Sequence, residues 1–510
     1  MRAEVPAGLM FQKVLVANRG EIAVRVIRAL REMGIRSVAV YSDADRAALH
    51  VRMADEAYRI GPPPAAESYL RAERILEAAR ASGAEAIHPG YGFLSEDAEF
   101  AAACERAGIV YIGPSSAAIR AMGSKTAARK LARAAGAPVV PGTERPLESA
   151  AEAGAAAREF GYPVFLKAAL GGGGKGLRRV DSEAGLESAL RQAASEAERS
   201  FGNGAVYVEK LIERPRHVEV QVFGDCHGNL IHLGERECSL QRRHQKVIEE
   251  CPSPLVATRP GMREAMGEAA LRVARAAGYT NAGTVEFLVD AGEKFYFLEM
   301  NTRLQVEHPV TELVTGLDLV HLQLRVAAGH PLGLSQEDIR WRGHAIECRI
   351  YAEDPYHGFY PSPGKVTLLN RPAGPGVRLD SGIYLGWTVP IDYDPLLAKL
   401  AVWAGSREEA VRRTVRALDE YAVDGIQTTI GFYRRILADE AYRKAELHTG
   451  FIDEFLQRNG SPHQADDAET ERVAALVAAV HSIANQAAPQ HSPPPQASRW
   501  RTAGREESLR

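Results

Sequence analysis

Three patterns in the 510-residue sequence predict an α/β chain that closes in a mixed α+β region. Short apolar strands alternate with amphipathic helices from Lys13 to Ile112, a pattern that favours parallel pairing with helices on both sheet faces. A glycine run, Gly171–Gly174, directly follows a predicted strand. A predicted hairpin then leads into a charged stretch that repeats every second residue from Glu299 to Glu307. Composition agrees with a globular chain of about three ordinary domains, at 45% hydrophobic and 25% charged residues. A net charge of −3 suggests neither nucleic acid nor an anionic membrane as partner. No apolar run reaches the length of a membrane span, and the first residues lack a signal core. Five cysteines without a CxxC pair point to a reducing compartment, hence the cytoplasm. Either Met1 or Met10 can be the start.

In chain order, strands are predicted at Lys13–Ala17, Ser37–Tyr41, Ala86–His88 and Val110–Ile112. Helices are predicted at Glu21–Met33, Tyr69–Ala81 and Ala98–Ala107. This is a Rossmann-like first domain, residues 10–123, without the GxGxxG that would assign it a dinucleotide. His88-Pro-Gly-Tyr-Gly92 follows a strand end, where such sheets bind ligands; a plain turn is the equal alternative. The character changes over residues 124–342, where Lys125 follows a loop at Met122-Gly123 and a helix runs from Ala127 to Ala135. Strand Tyr162–Lys167 leads into the glycines, whose bare backbone N–H groups can approach phosphate oxygens and form an opening lid. Val206–Ile212 reads as a strand edge whose main chain can bond a purine, and Pro215–Val222 sets His217, Glu219 and Gln221 on one face. Residues 343–455 form a mixed region, with strands at His344–Tyr351, Lys365–Leu369 and Leu400–Trp403 and helices at Ser406–Tyr421 and Ile430–Ala438. In the tail, 456–510, Val473, Leu476, Val477, Val480 and Ile483 share a helical stripe that either packs back or docks a partner. Its Pro/Gln/Ser-rich end reads as disordered.

The hairpin Thr284–Asp290 and Lys294–Leu298 brings Glu286 directly or diagonally opposite Glu299. Two apposed carboxylates repel unless a cation joins them, and with the Asn301 amide they suit Mg²⁺ or Mn²⁺. If the chain stays extended, Glu299, Asn301, Arg303, Gln305 and Glu307 all project to one face. Alone, this stretch reads better as a solvated sheet face with ordinary surface charges.

Taken with the segments Asn18–Glu21, His88–Glu96, Lys167–Gly176, Cys238–Glu250 and Gly343–Arg349, it resembles the ATP-grasp biotin carboxylases over roughly residues 10–455. The resemblance implies a Rossmann-like N-terminal domain, an ATP-grasp central domain and a mixed C-terminal biotin carboxylase domain. It implies ATP-dependent carboxylation of biotin by bicarbonate through carboxyphosphate, the first half-reaction of an acetyl-CoA or other acyl-CoA carboxylase. Lys125, Lys167, Gly173, Gly174, Glu209, Lys210, Leu211, Ile212, His217, Gln241, His244, Glu286 and Glu299 match nucleotide contacts. Glu286, Glu299 and Asn301 match the metal ligands, and Lys246, Arg303 and Val306 the bicarbonate site. Glu307 matches the general base, Arg349 the cation that steadies the biotin oxyanion, and Tyr91, Gly92 and Gln305 its neighbours. Leu170 stands where some members carry glycine, and Cys238 matches a cysteine to which no role is assigned. A homodimer is implied. No Met-Lys-Met biotinylation motif occurs, so two separate partners are expected, a biotin carboxyl carrier protein and a carboxyltransferase subunit. Another ATP-grasp ligase, a component of a pyruvate or propionyl-CoA carboxylase, and a nucleotide-binding regulator are the alternatives.

Overall fold

The alternation at the start of the chain folds as a parallel sheet of five strands. They are β1 (Lys13–Val16), β2 (Arg36–Ser42), β3 (Glu56–Gly61), β4 (Ala86–His88) and β5 (Val110–Tyr111), in the order β3-β2-β1-β4-β5. The order turns back beside β1, which opens a crevice at the carboxyl ends of β1 and β4. Asn18 bridges it, its Nδ2 donating to Pro89 O at 2.7 Å and to Tyr91 O at 2.8 Å. Gly90 lies in the left-handed region at φ +65°, and a Cβ there would meet the Asn18 side chain at 2.8 Å. Edge strand β3 is not predicted from the sequence, because its alternate positions Ala57 and Arg59 are exposed and only Ile60 and Gly61 are buried. The structure, a computed structural model, describes residues 10–147, 149–168, 177–201, 203–459, 476–477 and 479–480.

Two further sheets follow. β6 (Val164–Ala168), β7 (Leu177–Val180) and β8 (Val206–Lys210) pair antiparallel in the order β7-β6-β8. The glycine run links β6 to β7 and, with Gly173 and Gly174, lies outside the described residues. Met122 and Gly123 end a helix, Ser116–Gly123, rather than forming a loop, because Met122 is buried beneath the next helix, Lys125–Ala134. The Ser124 hydroxyl caps that second helix.

The largest sheet has eight strands. Six of them are β9 (Arg216–Gly224), β10 (Leu230–Arg242), β11 (Gln245–Cys251), β12 (Asn281–Val289), β13 (Phe295–Asn301) and β14 (His344–Tyr351). The order is β13-β12-β9-β10-β11-β14, followed by Leu396–Ala404 and Val377–Ser381. Backbone pairing is therefore continuous across residue 343, with Ile248 opposite Cys348 and Arg349 opposite Lys399. One face of β9, β12 and β13 packs Val218, Val220, Val285, Phe287 and Met300 against helix Met262–Ala276. The opposite face carries the polar residues. The predicted Lys365–Leu369 strand is split into Gly364–Lys365 and Leu368–Asn370, which pair with different partners.

A compact unit runs to Phe455, and Leu456–Arg510 form a second. In the second unit residues 476, 477, 479 and 480 are helical and exposed; Val473, Ile483 and the Pro/Gln/Ser-rich end lie outside the described residues. Among the described residues no helix is long and apolar enough to cross a membrane.

Candidate active site

The hairpin register is direct: Glu286 pairs with Glu299 and Thr284 with Asn301. The extended run stops there. Thr302 N–H donates to Glu96 Oε1 at 3.0 Å, and residues 303–307 turn into helix His308–Thr315, which has Pro309 in its first turn. The shared face predicted for Glu299 to Glu307 thus extends only to Asn301. Arg303, Gln305 and Glu307 reach the site by folding back.

Lys246, on β11, is the hub. Its Nζ donates to Glu219 at 2.5 Å, Glu286 at 2.8 Å and Glu307 at 2.8 Å, matching three donors to three carboxylates. Burial disfavours the ammonium, but these carboxylates hold its proton well beyond the ordinary lysine range. Arg236, fully buried, donates to Glu219 at 2.6 Å, Gln221 at 2.8 Å, Thr311 at 3.0 Å and Thr284 at 3.1 Å. Arg349 spans Glu249 at 2.6 Å and Glu307 at 2.9 Å. Burial pushes the Glu307 carboxyl up, and Lys246, Arg349 and Arg236 overcome this to hold it well below the usual carboxylate range. Glu286 is likewise depressed against its burial by Lys246 and His217. Glu249 goes the other way, pushed up to about 7 by burial and by Glu307 in spite of Arg349. Cys238 lies 3.9 Å from Glu307, and burial beside Glu219 keeps it a neutral thiol.

The sides of the site are held as firmly. Gln241 Nε2 donates to His217 Nδ1 at 2.9 Å, which leaves the proton on Nε2, 3.0 Å from Glu286. Asn301 donates to Glu286 at 2.8 Å and accepts from Arg303 at 3.1 Å. Arg303 also donates to Glu96 at 2.8 Å and Gln305 at 2.7 Å, so its guanidinium is braced by neighbours. Gln305 in turn donates to Glu286 at 3.2 Å. Glu299 is half-exposed and 3.5 Å from Lys125.

Oxygen donors at Glu286, Glu299 and Asn301 suit a hard divalent cation, and the cationic groups around them show the site's demand for positive charge. A metal there competes with the hydrogen bonds that Lys246, Asn301 and Gln305 give to Glu286.

On the small sheet Lys167 pairs with Glu209, which also takes Arg129 at 2.6 Å. Lys210 and Leu211 give their N–H groups to Pro141 and Pro163, so a purine edge there meets carbonyls or the Ile212 amide. His244 and Arg243 form the β10–β11 turn with φ of +66° and +49°. Tyr91 and Gly92 occupy the loop after β4, the Tyr91 ring 5.7 Å from Lys399 Nζ. Val306 O accepts from Lys399 at 2.8 Å.

Glu96, Glu219, Arg236, Glu249 and Lys399 have no role assigned from the sequence. Glu219 could have been found from the face it shares with His217. Arg236 and Glu249 lie on strands whose polar residues cannot be told from solvated ones until the sheet is closed, whereas Lys399 is a single lysine in the apolar strand Leu396–Ala404.

Comparison with known proteins agrees across most of residues 10–454. Residues 10–119 match "Biotin carboxylase, N-terminal domain", 124–335 "Carbamoyl-phosphate synthase L chain, ATP binding domain", and 347–454 "Biotin carboxylase C-terminal domain". A pyruvate carboxylase subunit of Methanothermobacter thermautotrophicus is 55% identical over 446 residues, 88% of this chain and 90% of that one. Biotin carboxylase 1 of Bacillus subtilis is 51% identical over 447 residues, 88% of this chain and 99% of that one. The biotin carboxylase domain dimer of Hydrogenobacter thermophilus 2-oxoglutarate carboxylase, solved with MgADP, ADP and bicarbonate, has a TM-score of 0.82 at 49% identity. That alignment covers 88% of this chain and 98% of the solved one. The motifs, the folded site and the relatives converge, and the chain belongs to the biotin carboxylase family of ATP-grasp enzymes.

Proposed function

We propose that this chain uses ATP and bicarbonate to carboxylate biotin borne on a separate carrier protein. The observation that carries the reading is Glu307, a buried carboxylate kept ionised by Lys246 and Arg349, both of which can also meet an anion. Mg²⁺ at Glu286, Glu299 and Asn301 supplies charge neutralisation for the phosphates when bound. Lys125 and Lys167 contact those phosphates, and Gly173 and Gly174 close over them. Glu209, Lys210, Leu211, Ile212, His217, Gln241 and His244 hold the rest of the nucleotide. Lys246, Arg303 and the Val306 N–H orient bicarbonate, and Glu307 takes its proton as the bicarbonate oxygen attacks the γ-phosphorus and ADP leaves. Carboxyphosphate then gives CO₂ and phosphate. That phosphate deprotonates the ureido nitrogen, which attacks CO₂. Arg349 steadies the charge on the ureido oxygen, with Tyr91, Gly92 and Gln305 around the ring.

Residues 10–123, 124–342 and 343–455 serve as the three working domains of a cytoplasmic homodimer, and its downstream partner is a carboxyltransferase subunit. Acetyl-CoA is the proposed final acceptor; the pyruvate carboxylase relative supports pyruvate as a second reading. The test is ADP release with Mg²⁺ and bicarbonate, which free biotin should accelerate while carboxybiotin accumulates. A bicarbonate-dependent rate indifferent to biotin points to a different ATP-grasp ligase.

A further inference from the structure

Lys399 is completely buried on strand Leu396–Ala404, far in sequence from every catalytic motif. A buried ammonium carries a large desolvation cost and persists only where its partners offset it. Its partners come from three distant segments. Nζ donates to Val306 O at 2.8 Å and lies 3.4 Å from Glu21 Oε2, and it sits over the Tyr91 ring. Glu21 belongs to the Asn18–Glu21 motif, whose role the proposed chemistry leaves unused. Both Glu21 oxygens are buried, and neither has a hydrogen-bond partner. On the sheet Lys399 faces Arg349 on one side and Asp380 on the other. The carbonyl it grips belongs to the peptide joining Val306 to Glu307, so its reach sets the plane from which the Glu307 side chain departs. The Val306 N–H assigned to bicarbonate lies on the preceding Gln305–Val306 peptide, which is joined to this plane at the Val306 Cα.

We propose that Lys399 is a positioning residue for the bicarbonate half-reaction: anchored by Glu21, it holds the Val306–Glu307 peptide so that the Glu307 carboxylate and the Val306 N–H meet the same anion. The inference rests on the reading that these two groups face bicarbonate. A purely structural lysine would instead matter for stability alone.

The experiment compares ADP release by the full-length wild type, Lys399→Met/Glu21→Gln and Lys399→Arg. Bicarbonate is varied at saturating ATP, and ATP at saturating bicarbonate. The double variant removes both charges of the pair, so Glu21 is not left stranded as a buried carboxylate. It should melt cooperatively, raise the bicarbonate KM tenfold or more, lower kcat, and leave the ATP KM within twofold. Lys399→Arg keeps the charge beside Glu21 but changes the reach to Val306; it should raise the bicarbonate KM at least fivefold, again without moving the ATP KM. This second variant decides the matter should the first not fold. An unchanged bicarbonate KM in a folded variant, or equal shifts in both KM values, overturns the proposal. A wild type whose ADP release ignores bicarbonate overturns the underlying reading instead.

Discussion

Lys246 gives its three protons to three carboxylates, and Glu307 divides its two oxygens between Lys246 and Arg349. Such a network keeps a base ionised at the cost of its proton affinity, so Glu307 gains strength only as an anion draws its cations away. This predicts different failures at the two ends. Glu307→Gln keeps the shape but accepts no proton, so ADP release and carboxybiotin formation should fall together, by on the order of 10²–10⁴. Arg349→Ala leaves Glu307 with Lys246 and with Arg236 nearby, so slow biotin-independent ADP release should largely survive. Carboxybiotin should drop a few hundredfold, the roughly 3–4 kcal/mol expected for an oxyanion donor. Parallel assays of the two products decide it: equal loss of ADP release in both variants refutes the division of labour.

At the scale of elements, the β10–β11 hairpin carries the most visible strain. A two-residue turn of this hand prefers Asn-Gly, yet Arg243 and His244 occupy it with φ of +49° and +66°. Left-handed residues of this kind cost about 1 kcal/mol or more each, and such strain is found where a side chain must be presented. The turn ends two residues before Lys246 and carries His244, a proposed nucleotide contact. Arg243→Asn/His244→Gly should therefore raise the urea midpoint while increasing the ATP KM several-fold. A variant that is less stable, or one that binds ATP as well as the wild type, counts against a functional origin for the strain.

For the whole molecule, the eight-stranded sheet decides what can be cut. β14 is hydrogen-bonded to β11 on one side and to Leu396–Ala404 on the other, so residues 343–455 share one sheet with the strands that carry Lys246, Glu286 and Glu299. A chain divided at 342/343 loses the β11–β14 ladder and leaves an unpaired edge on both fragments. Expressed alone, 343–455 should show no cooperative melt. Removing 461–510 takes away none of the assigned residues. That truncation should retain the wild-type melting temperature and free-biotin activity within twofold. A cooperative melt for the isolated fragment, or an inactive truncation, would show that the sheet is not the unit of stability.

Local chemistry determined a large share of this protein. Period-two alternation and the Asp290–Glu293 turn fixed the hairpin and set Glu286 directly or diagonally opposite Glu299; the structure chose the direct pairing, with a register shift between Glu286 and Phe287. The helix and strand signals before Ile112 likewise required a parallel sheet, since short apolar strands separated by helices can pair in no simpler way. The order of the motifs was enough to indicate the family. Tertiary structure alone decided how Arg303, Gln305 and Glu307 converge, because Glu96, some 200 residues away, takes the Thr302 amide and ends the strand. It alone showed the partners of Arg236, Glu249 and Lys399, the last a single lysine in the otherwise apolar strand Leu396–Ala404. A buried charge is recognisable only by the partners that offset its desolvation, and for Lys399 those are Glu21 and the Val306 carbonyl, brought together from opposite ends of the fold.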